Sequence, residues 1–108
     1  MAFEKFLEIR KVMCADHPLV TEGNMMRSPA IHYAGKVFAF FSRKHKMVFK
    51  LGTDHSFNVL NVPLSEFNPF KNKKPLTGWY ELDFEHHEKW ELLAQAALEK
   101  IKLDTHGK

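Results

Sequence analysis

The stretch Ala30-Ile31-His32-Tyr33-Ala34-Gly35-Lys36-Val37-Phe38-Ala39-Phe40-Phe41-Ser42-Arg43-Lys44-His45-Lys46-Met47-Val48-Phe49-Lys50-Leu51 decides the fold. Its runs of Ile, Val, Phe and Tyr suit a pleated, half-buried surface. Turn chemistry interrupts them twice. Ala34-Gly35 is a short turn in which Gly35 is free to take positive φ, and Arg43-Lys44-His45-Lys46 is a polar turn. The pattern predicts a two-hairpin β-meander over residues 31–51. Period two places Phe38 and Phe40 on one face of the middle strand, with Val37, Ala39 and Phe41 on the other. Met47, Phe49 and Leu51 share a face opposite Val48 and Lys50. Both faces of the middle strand are therefore apolar. One packs on helices; the other, with Val37, Ala39, Phe41 and Val48, needs a second cover, from the remaining chain, a ligand or a second subunit.

Upstream, residues 2–16 read as a helix. Phe3, Phe6, Leu7, Val12 and Met13 recur at steps of three and four, with Ile9 near the edge of that stripe. His17-Pro18 ends it, because a residue before proline is pushed out of the α region. Thr21-Glu22-Gly23-Asn24 reads as a turn, with Met25-Met26-Arg27 as a candidate strand start, and Pro29 restricts any ladder near it to an edge or a strand start. Downstream, Thr53 or Asp54 is placed to cap a short helix running to Leu60. Pro63, Pro69 and Pro75 punctuate a loop-like region that holds the basic turn Lys71-Asn72-Lys73-Lys74. Residues 76–82 suit a last strand. Residues 84–103 form the strongest helix, with Asp83 as its expected N-cap and a stripe of Trp90, Leu93, Ala94, Ala97, Leu98 and Ile101. The expected fold class is α+β: a curved antiparallel sheet, the meander plus a later strand, packed by N-terminal and C-terminal helices. A chain of 108 residues suits one domain, 1–108, with an ordered core over about 3–103.

Composition narrows the function classes. The hydrophobic fraction of 44% and charged fraction of 27% belong to a globular chain. A single cysteine, Cys14, forms no internal disulfide, and no apolar run approaches the length of a membrane span, so a cytoplasmic location away from membranes is expected. The net charge of +3 permits an anionic partner without demanding one.

Catalytic and metal motifs are weak. Cys14 and His17 are three residues apart, yet the chain lacks a second cysteine and an HExxH pair, so neither a structural nor a catalytic zinc set is assembled. His86 and His87 are adjacent and diverge on a helix. Glu81, Asp83 and Glu85 alternate near a strand end, a run that reads as an acid/base cluster or, more simply, as a solvated edge and a helix cap. No GxSxG elbow is present, and Gly35-Lys36 belongs to a hairpin rather than a phosphate loop. An enzymatic reading would require His32 or His55 to meet a carboxylate in a cleft. No catalytic residue, cofactor or metal ligand is expected. The most suggestive feature is the pair of basic turns. If they share an edge, Arg43, Lys44, Lys46, Lys71, Lys73 and Lys74 would form a patch for nucleic-acid phosphates.

Met25-Met26-Arg27-Ser28-Pro29-Ala30, Gly35-Lys36-Val37-Phe38-Ala39 and Met47-Val48-Phe49-Lys50-Leu51, taken with Pro69, Lys74-Pro75-Leu76, Gly78-Trp79 and a C-terminal helix holding Trp90 and Ala94, carry a family likeness. Over residues 3–102 the chain resembles the TfoX N-terminal-like and YjbR (MmcQ) group of small bacterial domains. It departs at Met26-Arg27-Ser28-Pro29, where the TfoX version usually reads Met-Phe-Gly-Gly. The resemblance implies a compact α+β fold, no established catalytic residues and no cofactor, with regulatory and DNA-binding roles. Met26, Pro29, Gly35, Lys36, Phe38, Lys50, Gly78 and Trp79 match as fold determinants. The expected function is a non-enzymatic domain, regulatory or nucleic-acid-binding through its Lys-rich turns. The alternative is a domain that binds a small ligand or a second copy of itself on the second apolar face of the sheet. Its expected partners are thus nucleic acid or another protein, including a homodimer mate.

Overall fold

A computed structural model describes residues 2–25, 27–52, 63–68 and 77–106. In chain order its elements are α1 (Ala2–Asp16), β1 (Val20–Met25), β2 (Ser28–Tyr33), β3 (Lys36–Phe41), β4 (Met47–Lys50), β5 (Ser65–Glu66), β6 (Trp79–Leu82), a 3-10 helix (Phe84–Lys89) and α2 (Trp90–His106). The fold is α+β. Six strands form one open antiparallel sheet in the order β1-β2-β3-β4-β6-β5, and both helices pack on it. The expected short helix up to Leu60 and the turn at residues 71–74 lie outside the described residues.

The meander forms where the sequence placed it, and it begins one strand earlier. Residues 21–24 are not a turn. They lie within β1, which pairs in unbroken register with β2 from Val20↔Tyr33 to Met25↔Ser28. Glu, Gly and Asn are poor strand formers, but a full ladder with β2 and the burial of Val20 override that local preference. Gly23 has a specific reason to lack a side chain: a Cβ there would run into the His32 ring, 2.7 Å from its Cδ2. The reversal comes afterwards, with Arg27 at φ 71°. At the next turn Ala34 and Gly35 both have positive φ, 51° and 84°, the two-residue I′ geometry that matches strand twist.

A β-bulge corrects the expected division of the faces. Ala30↔Phe40 and Ile31↔Ala39 are followed by His32↔Val37, so Phe38 is an extra residue in β3. A bulge breaks the period-two alternation. Phe38 joins Ala39 and Phe41 in the main core, while Val37 and Phe40 take the second face. The face assignment of β4 holds: Met47, Phe49 and Leu51 are in the main core and Val48 is opposite.

The main core lies between the sheet and the helices. The predicted α2 stripe, Trp90, Leu93, Ala94, Ala97, Leu98 and Ile101, is buried throughout. On α1 the buried line is Phe6, Ile9 and Met13. Ile9 is thus central rather than peripheral, whereas Phe3 and Val12 are exposed at 44% and 38%. The second face has its own small cluster. Ala30, Phe40 and Val48 are covered by Phe67, with Met25, Val37 and Trp79 packed against them. The Phe67 ring meets Phe40 edge-on at 5.2 Å, and Trp79 lies 5.6 Å from Phe40. Residues of the region expected to be a loop therefore supply β5 and part of this cover.

The start of the C-terminal helix also differs from expectation. Asp83 makes no side-chain cap hydrogen bond. Its Oδ1 pairs with His86 Nδ1 at 3.1 Å, and its carbonyl oxygen accepts a 3.1 Å hydrogen bond from the buried Trp90 indole. Anchoring Trp90 draws residues 84–89 into a 3-10 segment with a kink at His86 (φ −110°, ψ 30°), after which the α-helix begins.

Candidate nucleic-acid interface

The turn that connects β3 to β4 is built by Ser42. The Ser42 amide donates to Lys46 O at 2.8 Å, and the His45 amide donates to Ser42 O at 3.0 Å. The buried Ser42 Oγ accepts from the amides of Lys44 and Lys46, both at 3.3 Å. The loop proper is Arg43-Lys44-His45, with His45 in the left-handed region at φ 61°. A three-residue hairpin loop ending in a left-handed residue is a common solution, and histidine is among the side chains that tolerate that conformation better than most. Arg43, Lys44 and His45 are consequently exposed on a tip closed by hydrogen bonds.

The sequence-predicted residues do not behave alike. Arg43 and Lys44 are exposed, with no ion pair among the described residues. Lys46 is half-buried, and its Nζ lies 3.5 Å from Glu81 Oε2 on β6, which neutralises much of its charge toward a ligand. Lys71, Lys73 and Lys74 lie outside the described residues, so the geometry relates them to nothing. The register adds Arg27, which sequence reasoning missed. Since Met25 pairs with Ser28 and Ala30 with Phe40, the turn after β1 and the turn after β3 emerge at the same end of the sheet. The exposed Arg27 thus stands at the end that carries Arg43 and Lys44. It sits in the turn after β1, a strand that a one-dimensional reading takes for a turn, and so its place at this end was hidden. Lys36 belongs to the opposite end.

Aromatic rings back this basic end. Phe41 touches Phe3, Phe6 and His45, with centroid separations of 5.4, 5.6 and 5.7 Å. Phe3 also stacks on Phe6 at 6.4 Å with 12° between planes. The α1 N-terminus therefore lies over the end of β3 and leaves Phe3 partly in solvent, 44% exposed.

The other candidate chemistries can be placed. Cys14 is half-buried, and its thiol is pushed above the ordinary cysteine value by burial first and by Glu22 second, with Arg10 opposing. A raised pKa leaves little thiolate, the opposite of what a nucleophile or metal ligand needs. His32 Nε2 is buried without a hydrogen-bond partner among the described residues, so it meets no carboxylate there. His86 and His87 diverge as expected: His87 Nδ1 lies 2.9 Å from Phe84 O, and its ring stacks on Phe84 at 4.5 Å. Among the described residues, Asp83, Glu85 and His86 form one group whose ligand-capable atoms lie within 4.8 Å of one another. Asp83 and His86 are already paired there, and Glu85 is exposed, which suits a solvated helix start. The His86 pKa is raised, chiefly by the hydrogen bond to Asp83 and then, against the desolvation that lowers it, by the charges of Asp83, Glu85 and Glu88.

No described helix is long and apolar enough to cross a membrane. Comparison with known proteins finds no match: no family model fits the chain, and no curated protein or solved structure matches it.

Proposed function

We propose that this chain is a cytoplasmic, non-enzymatic domain of the TfoX N-terminal-like and YjbR kind, with a regulatory role, that binds nucleic acid through the basic end of its sheet. The observation that carries the reading is the convergence of Arg27, Arg43 and Lys44 at one sheet end, on turns too short to fold away. Guanidinium and ammonium groups on an exposed tip suit phosphate oxygens, and the hydrogen bonds of Ser42 close that tip. Lys71, Lys73 and Lys74 would extend the patch if their segment reaches the same end. Cys14, its thiol pKa raised by burial, and the unpartnered His32 lend catalysis no supporting constellation among the described residues.

The second apolar face, which motivates the alternative of a ligand-binding or self-associating domain, is largely closed by Phe67, Met25 and Trp79. The basic end is accordingly preferred.

The test is a salt titration of binding to short DNA, single-stranded and duplex. Three phosphate contacts predict a slope of log K against log salt of roughly −2 to −3. Arg43→Gln with Lys44→Gln lowers the magnitude of that slope by about 1.5 to 2. Absence of binding to either DNA at low salt, or binding indifferent to salt, rules the reading out.

A further inference from the structure

We infer that the basic end is a site for single-stranded nucleic acid, with Phe3 and His45 as surfaces on which unpaired bases stack. The inference rests on the nucleic-acid reading above and narrows it. Among the exposed large hydrophobic residues of the described chain, Phe3, Val12, Leu19, Leu92 and Leu103, the aromatic one is Phe3. It is exposed at 44%, although an α1 turn with its apolar line at Phe6, Ile9 and Met13 does not require a ring there.

Its surroundings fix it in place. Phe3 rests on Phe6 and on Phe41, and Phe41 in turn contacts the His45 ring. Phe3 and His45 therefore flank one buried ring and form a shelf beside Arg43 and Lys44. Both rings are restrained, Phe3 by two ring contacts and His45 by its left-handed backbone and its contact with Phe41. A restrained ring loses less freedom on binding than a mobile one.

The chemistry of this pairing separates two kinds of nucleic acid. In a duplex the base faces are stacked on one another, and a protein that offers only cations engages the phosphates. An exposed ring face beside cations adds binding energy only where a base is unpaired and can lie flat on it. The tip itself is a loop of three residues closed by its own hydrogen bonds. Charge complementarity selects a polyanion, and the ring shelf selects its single-stranded form.

Fluorescence anisotropy with a labelled twelve-nucleotide oligo-dT and the corresponding dA·dT duplex, on the full chain, tests the inference. The single strand is expected to bind more tightly. Phe3→Leu, which keeps apolar bulk and removes the ring face, is expected to weaken oligo-dT binding roughly 5- to 100-fold while leaving the salt slope unchanged. His45→Gly, which suits the left-handed position, should weaken it less. Unfolding midpoints of both variants establish that the fold is intact. Equal affinity for strand and duplex, or a Phe3→Leu protein that binds oligo-dT like the parent, overturns the stacking site and leaves phosphate binding standing. Absence of binding to both probes overturns the two readings together.

Discussion

Gly23 offers the sharpest check on how the sheet is built. Alanine should be the better residue in a strand, since glycine loses more chain entropy on folding, a difference of about 0.5–1 kcal/mol. Here the preference is reversed by one neighbour. The methyl group introduced by Gly23→Ala would occupy the space of the His32 ring, including a position 2.7 Å from Cδ2. The obstacle is the far end of a two-torsion side chain, so His32 can swing aside without shifting the backbone. What is lost is the packing of the ring over β1; what is regained is water for Nε2, which is buried and unpaired beside Gly23. Overpacking costs about 1–3 kcal/mol where nothing can move, and this escape route puts the net destabilisation of Gly23→Ala near the low end, about 1 kcal/mol. In a His32→Ala background the obstacle is gone, and Gly23→Ala should stabilise by about 0.5 kcal/mol. The double-mutant cycle therefore predicts a coupling of about 1.5 kcal/mol. Urea unfolding of the four proteins measures it; with a slope of about 1–3 kcal/mol/M, the Gly23→Ala midpoint falls by about 0.3–1 M. A Gly23→Ala cost that is the same with and without His32 would refute the close approach, and with it the register that makes residues 20–25 a strand.

Two further expectations concern the second face and the start of α2. Phe67→Ala removes the ring that covers Phe40 and Val48 and should cost about 3 kcal/mol, read by calorimetry; a loss below about 1 kcal/mol would mean that the cover comes from elsewhere. The pKa of His86 is raised in the folded protein, first by its hydrogen bond to Asp83. The pairing therefore stabilises the fold fully below the unfolded histidine pKa, and that contribution disappears as pH rises through the folded value. NMR titration should show His86 titrating above an ordinary histidine and returning toward it in Asp83→Asn; an unchanged midpoint in that variant would exclude the pairing as the cause.

The fold class was legible because its signals are local and redundant. Apolar periodicity located both helices and the three strands of the meander, and Ala34-Gly35 and Arg43-Lys44-His45-Lys46 marked its turns. The α2 stripe from Trp90 to Ile101 is buried as read, since a period of 3.6 survives any rearrangement around it. The candidate site was legible in part. Arg43 and Lys44 are exposed at a turn, as polar residues between apolar strands must be, but nothing in one dimension shows Glu81 reaching Lys46 across a ladder.

What tertiary structure decided were the properties that depend on pairing partners. Residues 21–24 have turn-like composition and become β1 because backbone groups gain a whole ladder with β2, a gain invisible to local propensity. The bulge at Phe38 puts that ring in the core beside Ala39 and Phe41 and leaves Phe40 and Val37 on the second face; a single inserted residue breaks the alternation, and no residue type announces it. Register alone brings Arg27 to the end that carries Arg43 and Lys44, and packing alone sets Phe3 against Phe41. The sequence by itself thus determined which segments are apolar and where the chain reverses. Which face each ring occupies, and which charges stand together, followed only from the non-local hydrogen bonds that fix one strand against the next.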